Sequence, residues 1–299
     1  RACSSAACAA DIAVFGAGGQ VGFALSRVSP RHGTTLIPYT RTDADITNSD
    51  TVATALAKAK ADAVINAAAY TAVDKAESEP ERAIAINRDG AANVARAAHA
   101  SGAKFIHIST DYVFDGTKPT AYVEDDPIAP LGTYGRSKAE GETAVRAEAP
   151  GAVIVRTSWV YGLEGANFVK TMLRLGAERD VLRVVNDQKG SPTFADDLAD
   201  ALLTIAAKAT PAAAGTYHVA GAGQTTWHAL AEAIFAQAAK FGRKTPRLEP
   251  IPTSAYPTPA RRPANSVLDC TKAKRVFGVE LPRWDEGLSR MLNAHLAGS

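Results

Sequence analysis

Short, near-continuous apolar runs punctuate the first half of the chain: DIAVFG at 11–16, TTLIPY at 34–39, ADAVINA at 61–67, AKFIHIS at 103–109 and GAVIVRT at 151–157. Longer helical stretches separate them, predicting helices over 20–29, 50–60, 80–101 and 134–148. Strands that are apolar on both faces and alternate with helices predict a parallel sheet covered on two sides, a doubly wound α/β fold. Ligands of such sheets gather at the C-terminal strand ends. After about residue 160 the alternation weakens. YGLEGANF and NDQKGSPT read as loops, and the proline-dense RLEPIPTSAYPTPARRPANS reads as too constrained for a regular element. These later segments are expected to build a smaller α/β lobe for substrate.

At 299 residues and 46% hydrophobic content the chain can bury a large core. Its 33 Lys and Arg nearly balance 31 Asp and Glu, which argues against nucleic acid or an anionic membrane as partner. Cys3, Cys8 and Cys270 are too unevenly placed for a disulfide framework or a zinc site, and a reducing, cytoplasmic setting fits them. No apolar run approaches the ~20 residues of a membrane helix. The opening RACSSAACAA has neither a long apolar segment nor an initiating Met and is set aside as a tail. The histidines form no ligand-spaced set, so no metal is expected.

Candidate chemistry begins at the end of the first strand. GAGGQVG places Gly16, Gly19 and Gly22 three apart, where glycine lets the backbone turn sharply and approach a pyrophosphate at a helix N-terminus. The spacing departs from GxGxxG, which requires glycine where Val21 stands. Any tight strand-to-helix turn uses glycine, so the flanking strand and helix carry the nucleotide reading. The second strand ends in PYTRTDAD, with Thr40 and Arg41 where an acid would grip the ribose 2'-hydroxyl of NAD. Arg41 can meet a 2'-phosphate instead, so NADPH is expected over NADH; the plainer alternative is a solvated loop arginine.

YGRSK, at 134–138, puts Tyr134 and Lys138 on one helix face. The ammonium is expected to lower the phenol's pKa from about 10 and so make it a proton donor or acceptor near neutral pH. A packed ring beside a solvated amine would show the same spacing. HISTDYVFDG, after the fourth strand, adds Thr110 at the sheet's ligand-bearing edge.

Thr110, Tyr134 and Lys138, with the glycine turn, resemble the catalytic set of the extended short-chain dehydrogenase/reductase family. NAAAYTAVDKAE, STDYVFDG, YGRSKAEGE, RTSWVYG, NFVKTMLRL, DQKGSPT, TTWHALA and AYPTPARRPANS follow in the order of family motifs, from about residue 12 to about 293. The resemblance implies a Rossmann-type core over 11–160, preceded by a tail over 1–10 and rejoined by elements around 181–222. A sugar-nucleotide lobe would comprise 161–180 and 223–299. Gly19, Gln20 and Val21 would bind the cofactor's pyrophosphate, Asp45 and Ile46 would border its adenine, and Ala67, Ala68 and Ala69 would line it. The implied reaction is reduction of the C4 ketone of a dTDP-linked deoxysugar, with hydride from NADPH. Tyr134 would protonate the oxygen, Thr110 polarise it, and Lys138 hold the nicotinamide ribose.

Asp111 would accept a sugar hydroxyl and Trp159 would wall the deoxysugar or the nucleotide, although Trp159 also suits ordinary core packing. Arg262, in PARRPANS, would take the diphosphate. Two rivals remain: reduction of another nucleotide-linked 4-keto sugar, and a non-catalytic NADP-binding subunit like the regulatory subunit of methionine adenosyltransferase. Asp111-Tyr112 speaks against a dehydratase, which commonly carries Asp-Glu there. The resemblance admits a homodimer. Some members use magnesium at a dimer contact, but no carboxylate cluster in this sequence predicts it.

Overall fold

Strands form close to the apolar runs: β1 (Asp11–Phe15), β2 (Thr35–Tyr39), β3 (Ala63–Asn66), β4 (Lys104–Thr110) and β5 (Val153–Thr157). The computed structural model describes residues 10–297; the tail expected at 1–10 lies, apart from Ala10, outside them. With the later strand Gly215–His218 these strands make one parallel sheet, in the order Gly215–His218, β5, β4, β3, β1, β2. The chain leaves β1 for β2 on one side and returns to β3 on the other. The winding therefore reverses between β1 and β3, and a crevice opens beyond their C-terminal ends.

Alternation along β1 explains the two layers of helices. Ile12 and Val14 face a core shared with Leu25 of helix Gln20–Val28 and Leu198 and Leu202 of helix Ala195–Lys208. Ala13 and Phe15 face the opposite core, with Val52, Val94 and Val145 from the helices on that side. Emptying a fully buried position such as Leu25 would cost ~2–5 kcal/mol, so both layers fix the crevice firmly.

The helix expected over 80–101 contains a π-helical turn at Ala85–Gly90, between helical segments Pro80–Ile84 and Ala91–Ser101. The wider turn presents buried Asn87 to the segment after β3. Its side chain accepts from the Tyr70 N–H at 2.8 Å and donates to the Tyr70 carbonyl at 3.0 Å. That segment is thereby fixed through its backbone.

Past residue 160 the chain is more regular than its sequence predicts. Helices Phe168–Glu178, Trp227–Ala239 and Trp284–Leu296 pack around Met172, Leu182, Ile234 and Leu292 as a third core. Residues 181–185 do not rejoin the large sheet, a correction to the expected return of 181–222. They pair in parallel with Arg247–Ile251, inside the proline-rich segment expected to hold no regular element. A two-strand pair tolerates Pro250 because each strand keeps an unpaired edge. Within 181–222, Ala195–Lys208 packs on the large sheet and Gly215–His218 joins it; from the segment expected wholly in the lobe, helix Thr271–Phe277 also packs there, through Ala273 and Phe277. Among the described residues no helix is long and apolar enough to cross a membrane.

Candidate active site

The turn after β1 depends on glycine. Gly16 has φ of 81°, and a Cβ there would come within 2.5 Å of the Ala68 nitrogen and 2.7 Å of the Ala67 carbonyl carbon. The turn and the segment beyond β3 can approach this closely only without a side chain. Gly19 then caps helix Gln20–Val28 in extended conformation, with no side-chain cap and no acid in the first turn. Its free N–H groups and positive end suit a diphosphate, so the residues present fit a dinucleotide.

On the other side, β4 delivers Thr110 and Asp111. The Thr110 hydroxyl donates to Asp111 Oδ1 at 3.0 Å and accepts from the Tyr112 N–H at 3.2 Å. Tyr134 lies in the first turn of helix Thr133–Glu148, edge-on to Tyr112 with ring centres 5.7 Å apart. One turn later, Lys138 is buried and donates from Nζ to the Ile108 carbonyl at 2.7 Å, with His107 Nε2 at 3.4 Å. A single cleft of about 630 Å³ has Gly16, Gly19, Gln20, Val21, Ala67 and Ala69 on its walls together with Thr110, Asp111, Tyr134, Lys138 and Trp159.

Burial dominates the electrostatics. It pushes the Tyr134 phenol up to about 12, a hydrogen bond with Thr110 opposing and the Asp111 charge reinforcing the shift. The expected lowering by Lys138 is therefore corrected. Shared helix face does not decide where a long side chain ends, and this amine gives one N–H bond to the Ile108 carbonyl rather than to the phenol. Burial lowers Lys138 to about 8, with Glu142 opposing. It raises Asp111 to about 6, against hydrogen bonds from Ser266 and Thr110, and Asp111 Oδ2 has no partner within the geometric limits of a hydrogen bond. The site thus holds a firmly protonated phenol, an ammonium and a readily titrated carboxyl.

Other expected residues lie off this cleft. Gly22 is turned inward, where a Cβ would strike the Ala17 backbone, and Ala68 donates its N–H to Asn66 at 3.1 Å. Ile46 is buried against Gly90, so its side chain serves the core. Asp45 is tied to Thr47 and to Arg41, whose Nε lies 3.2 Å away at the exposed end of β2.

Arg262 borders a second cavity of about 630 Å³ in the C-terminal lobe, where Arg179, Arg183 and Gln188 also stand. Its guanidinium meets Asp74 at 2.8 and 3.1 Å and Thr258 at 2.6 Å. Tyr112 and Trp227 border both cavities. Trp159 sits at a φ of 46°, rare for a bulky residue, and stacks on Trp227 with ring centres 3.4 Å apart. Tight packing against Gly190 accompanies that strain. Trp159 is thus both a cleft wall and a packed ring.

Sequence reasoning missed Asp74, Glu77, Asn66, His107 and Trp227. The first two act through partners distant in sequence. Asn66 and His107 left one signal: polar residues inside otherwise apolar buried strands.

Fold and cleft define an extended short-chain dehydrogenase/reductase. The chain belongs to the family whose model is described as RmlD substrate binding domain, which matches residues 10–297. It is similar to a dTDP-4-dehydrorhamnose reductase of Sinorhizobium fredii, 45% identical over 289 residues, covering 95% of this chain and 97% of the relative. The solved dTDP-4-dehydrorhamnose reductase from Bacillus anthracis, in complex with NADP, superposes with a TM-score of 0.90 at 38% identity, covering 96% of this chain and 99% of that one. A Clostridium acetobutylicum dTDP-4-dehydrorhamnose reductase gives 0.89 at 38% identity, with 95% and 99% covered.

Proposed function

We propose that this chain is a cytoplasmic reductase that converts the C4 ketone of dTDP-4-dehydro-L-rhamnose to the alcohol of dTDP-L-rhamnose, using NADPH. The observation that carries this reading is the single cleft joining the uncapped helix start at Gly19 to Thr110, Tyr134 and Lys138. NADPH, when bound, supplies the hydride that the carbonyl carbon receives.

Each residue then has a separate task. Gln20 and Val21 receive the diphosphate on backbone N–H groups, beside Gly19, whose own N–H is held by the Gly16 carbonyl at 3.0 Å, while Ala67 and Ala69 keep the opposite wall free of bulk. Thr110 turns its one hydroxyl proton from Asp111 Oδ1 to the carbonyl oxygen and stabilises the charge that grows there. Tyr134 gives its hydroxyl proton to that oxygen; pushed up to about 12, the phenol is fully protonated at neutral pH and so carries the proton that the forming alcohol needs. Lys138 presents positive charge to the ribose through the N–H bonds that the Ile108 carbonyl does not take.

Asp111 accepts a sugar hydroxyl through Oδ2, and the Trp159–Trp227 stack forms the apolar wall. The arginine-bearing cavity of the lobe receives the dTDP portion, with Arg262 at its edge. This gives the large sheet to the cofactor and the lobe to the sugar nucleotide. Incubation with NADPH and dTDP-4-dehydro-L-rhamnose, followed by product identification, tests the reading. Formation of dTDP-L-rhamnose is expected; an unaltered sugar nucleotide overturns it.

A further inference from the structure

His107 is fully buried one residue before the carbonyl that anchors Lys138, and the reaction as derived makes no use of it. Parallel pairing of β3 and β4 sets Asn66 beside it. Asn66 Nδ2 lies 3.2 Å from His107 Nδ1, and Lys138 Nζ lies 3.4 Å from Nε2.

The orientation of Asn66 is fixed independently, because its Oδ1 accepts from the Ala68 N–H at 3.1 Å. A backbone N–H can face only the oxygen of that amide, so the amide nitrogen, a donor, faces Nδ1. Nδ1 must therefore accept. A neutral imidazole with an accepting Nδ1 carries its proton on Nε2, the atom beside Lys138. Burial keeps the ring neutral, its pKa held well below the ordinary value, with Lys138 and Arg146 adding in the same direction.

We propose that His107 is a positioning residue for Lys138: held by Asn66 with its proton on Nε2, it offers the lysine a donor rather than an acceptor. The ammonium finds no partner on the ring. Its inward hydrogen bond goes to Ile108, and its remaining N–H bonds are left for the cleft that Tyr134 borders. The charged groups around the pair are Glu142, one turn along and favouring the ammonium, and Arg146, opposing charge on the ring. The proposal rests on the reductase reading for its kinetic consequence, but not for its first test.

That test is the tautomer of His107, read from two-bond nitrogen–proton correlations of protein labelled with ¹⁵N-histidine and assigned with His107→Gln. The expected result at pH 7 is a proton on Nε2 and none on Nδ1. A proton on Nδ1, or a doubly protonated ring, overturns the proposal whatever the protein catalyses.

The second test is kinetic. Asn66→Asp replaces the donor with an acceptor, which draws the ring proton to Nδ1 and turns Nε2 into an acceptor for the ammonium. The alkaline limb of kcat/KM is expected to move up by about one pH unit, a tenfold change in proton affinity. In a His107→Phe background the same substitution should move it by less than half as much. Equal movement in both backgrounds would mean that the new charge acts on Lys138 directly, and the positioning role would be lost.

Discussion

Glu77 accepts two hydrogen bonds from Thr133, one from the backbone N–H at 2.7 Å and one from the hydroxyl at 3.1 Å, immediately before Tyr134. The carboxylate meets the positive end of a 16-residue helix and supplies the cap that Gly132 lacks. Glu77→Ala is expected to cost about 1 kcal/mol in stability. Because Tyr134 rides on that first turn, kcat should fall by a larger factor than substrate KM rises. Thermal unfolding and steady-state kinetics check both; a lowered Tm with unchanged kcat would confine Glu77 to stability.

Asp111 and Lys138 should shape the pH profile. The Asp111 carboxylate is gained as pH rises through about 6, and the Lys138 ammonium is lost as pH rises through about 8. A bell-shaped kcat/KM profile with limbs near those values is expected, and Asp111→Asn should remove the acid limb. The stability effect has the opposite sense for the native acid. Its raised pKa gives a contribution that is full below the ordinary carboxylate value and lost as pH rises through about 6. Asp111→Asn should therefore stabilise the unliganded protein at pH 7.5, by on the order of 2 kcal/mol, with little effect at pH 3.5. Urea unfolding at both pH values reads the difference.

Arg262→Ala is expected to raise the substrate KM at least tenfold, with little change in KM for NADPH. Its guanidinium borders the lobe cavity, away from the glycine turn, and Asp74 and Thr258 hold it in place. Asp74→Asn should give a milder form of the same effect. Equal changes for both substrates would remove Arg262 from the diphosphate site.

At the end of β2, Arg41→Ala should narrow the preference for NADPH over NADH. The side chain is largely exposed and, among the described residues, pairs with Asp45, so a 2'-phosphate can recruit it with little reorganisation. The ratio of kcat/KM for the two cofactors measures this. A preference unchanged by the substitution would make Arg41 a solvated loop residue.

Sequence made the strands from β1 to β5 legible because buried parallel strands are apolar on both faces and glycine marks the turn after β1. It also brought Thr110, Tyr134 and Lys138 toward one sheet edge. It could not show where flexible side chains end. The four-residue spacing of Tyr134 and Lys138 is real, yet the amine reaches Ile108 and the phenol's acidity is set by burial. Arg247–Ile251 escaped because proline content masks a strand that needs only one paired edge. Asn66, Glu77, Asn87 and His107 act through long-range partners that no local periodicity encodes.

The most direct measurement is single-turnover NADPH oxidation by Tyr134→Phe, beside a titration of NADPH binding. Loss of a phenolic proton in the transition state should slow the step by ~10²- to 10⁴-fold while leaving cofactor affinity within about twofold. A rate close to that of the unsubstituted protein would contradict protonation by Tyr134.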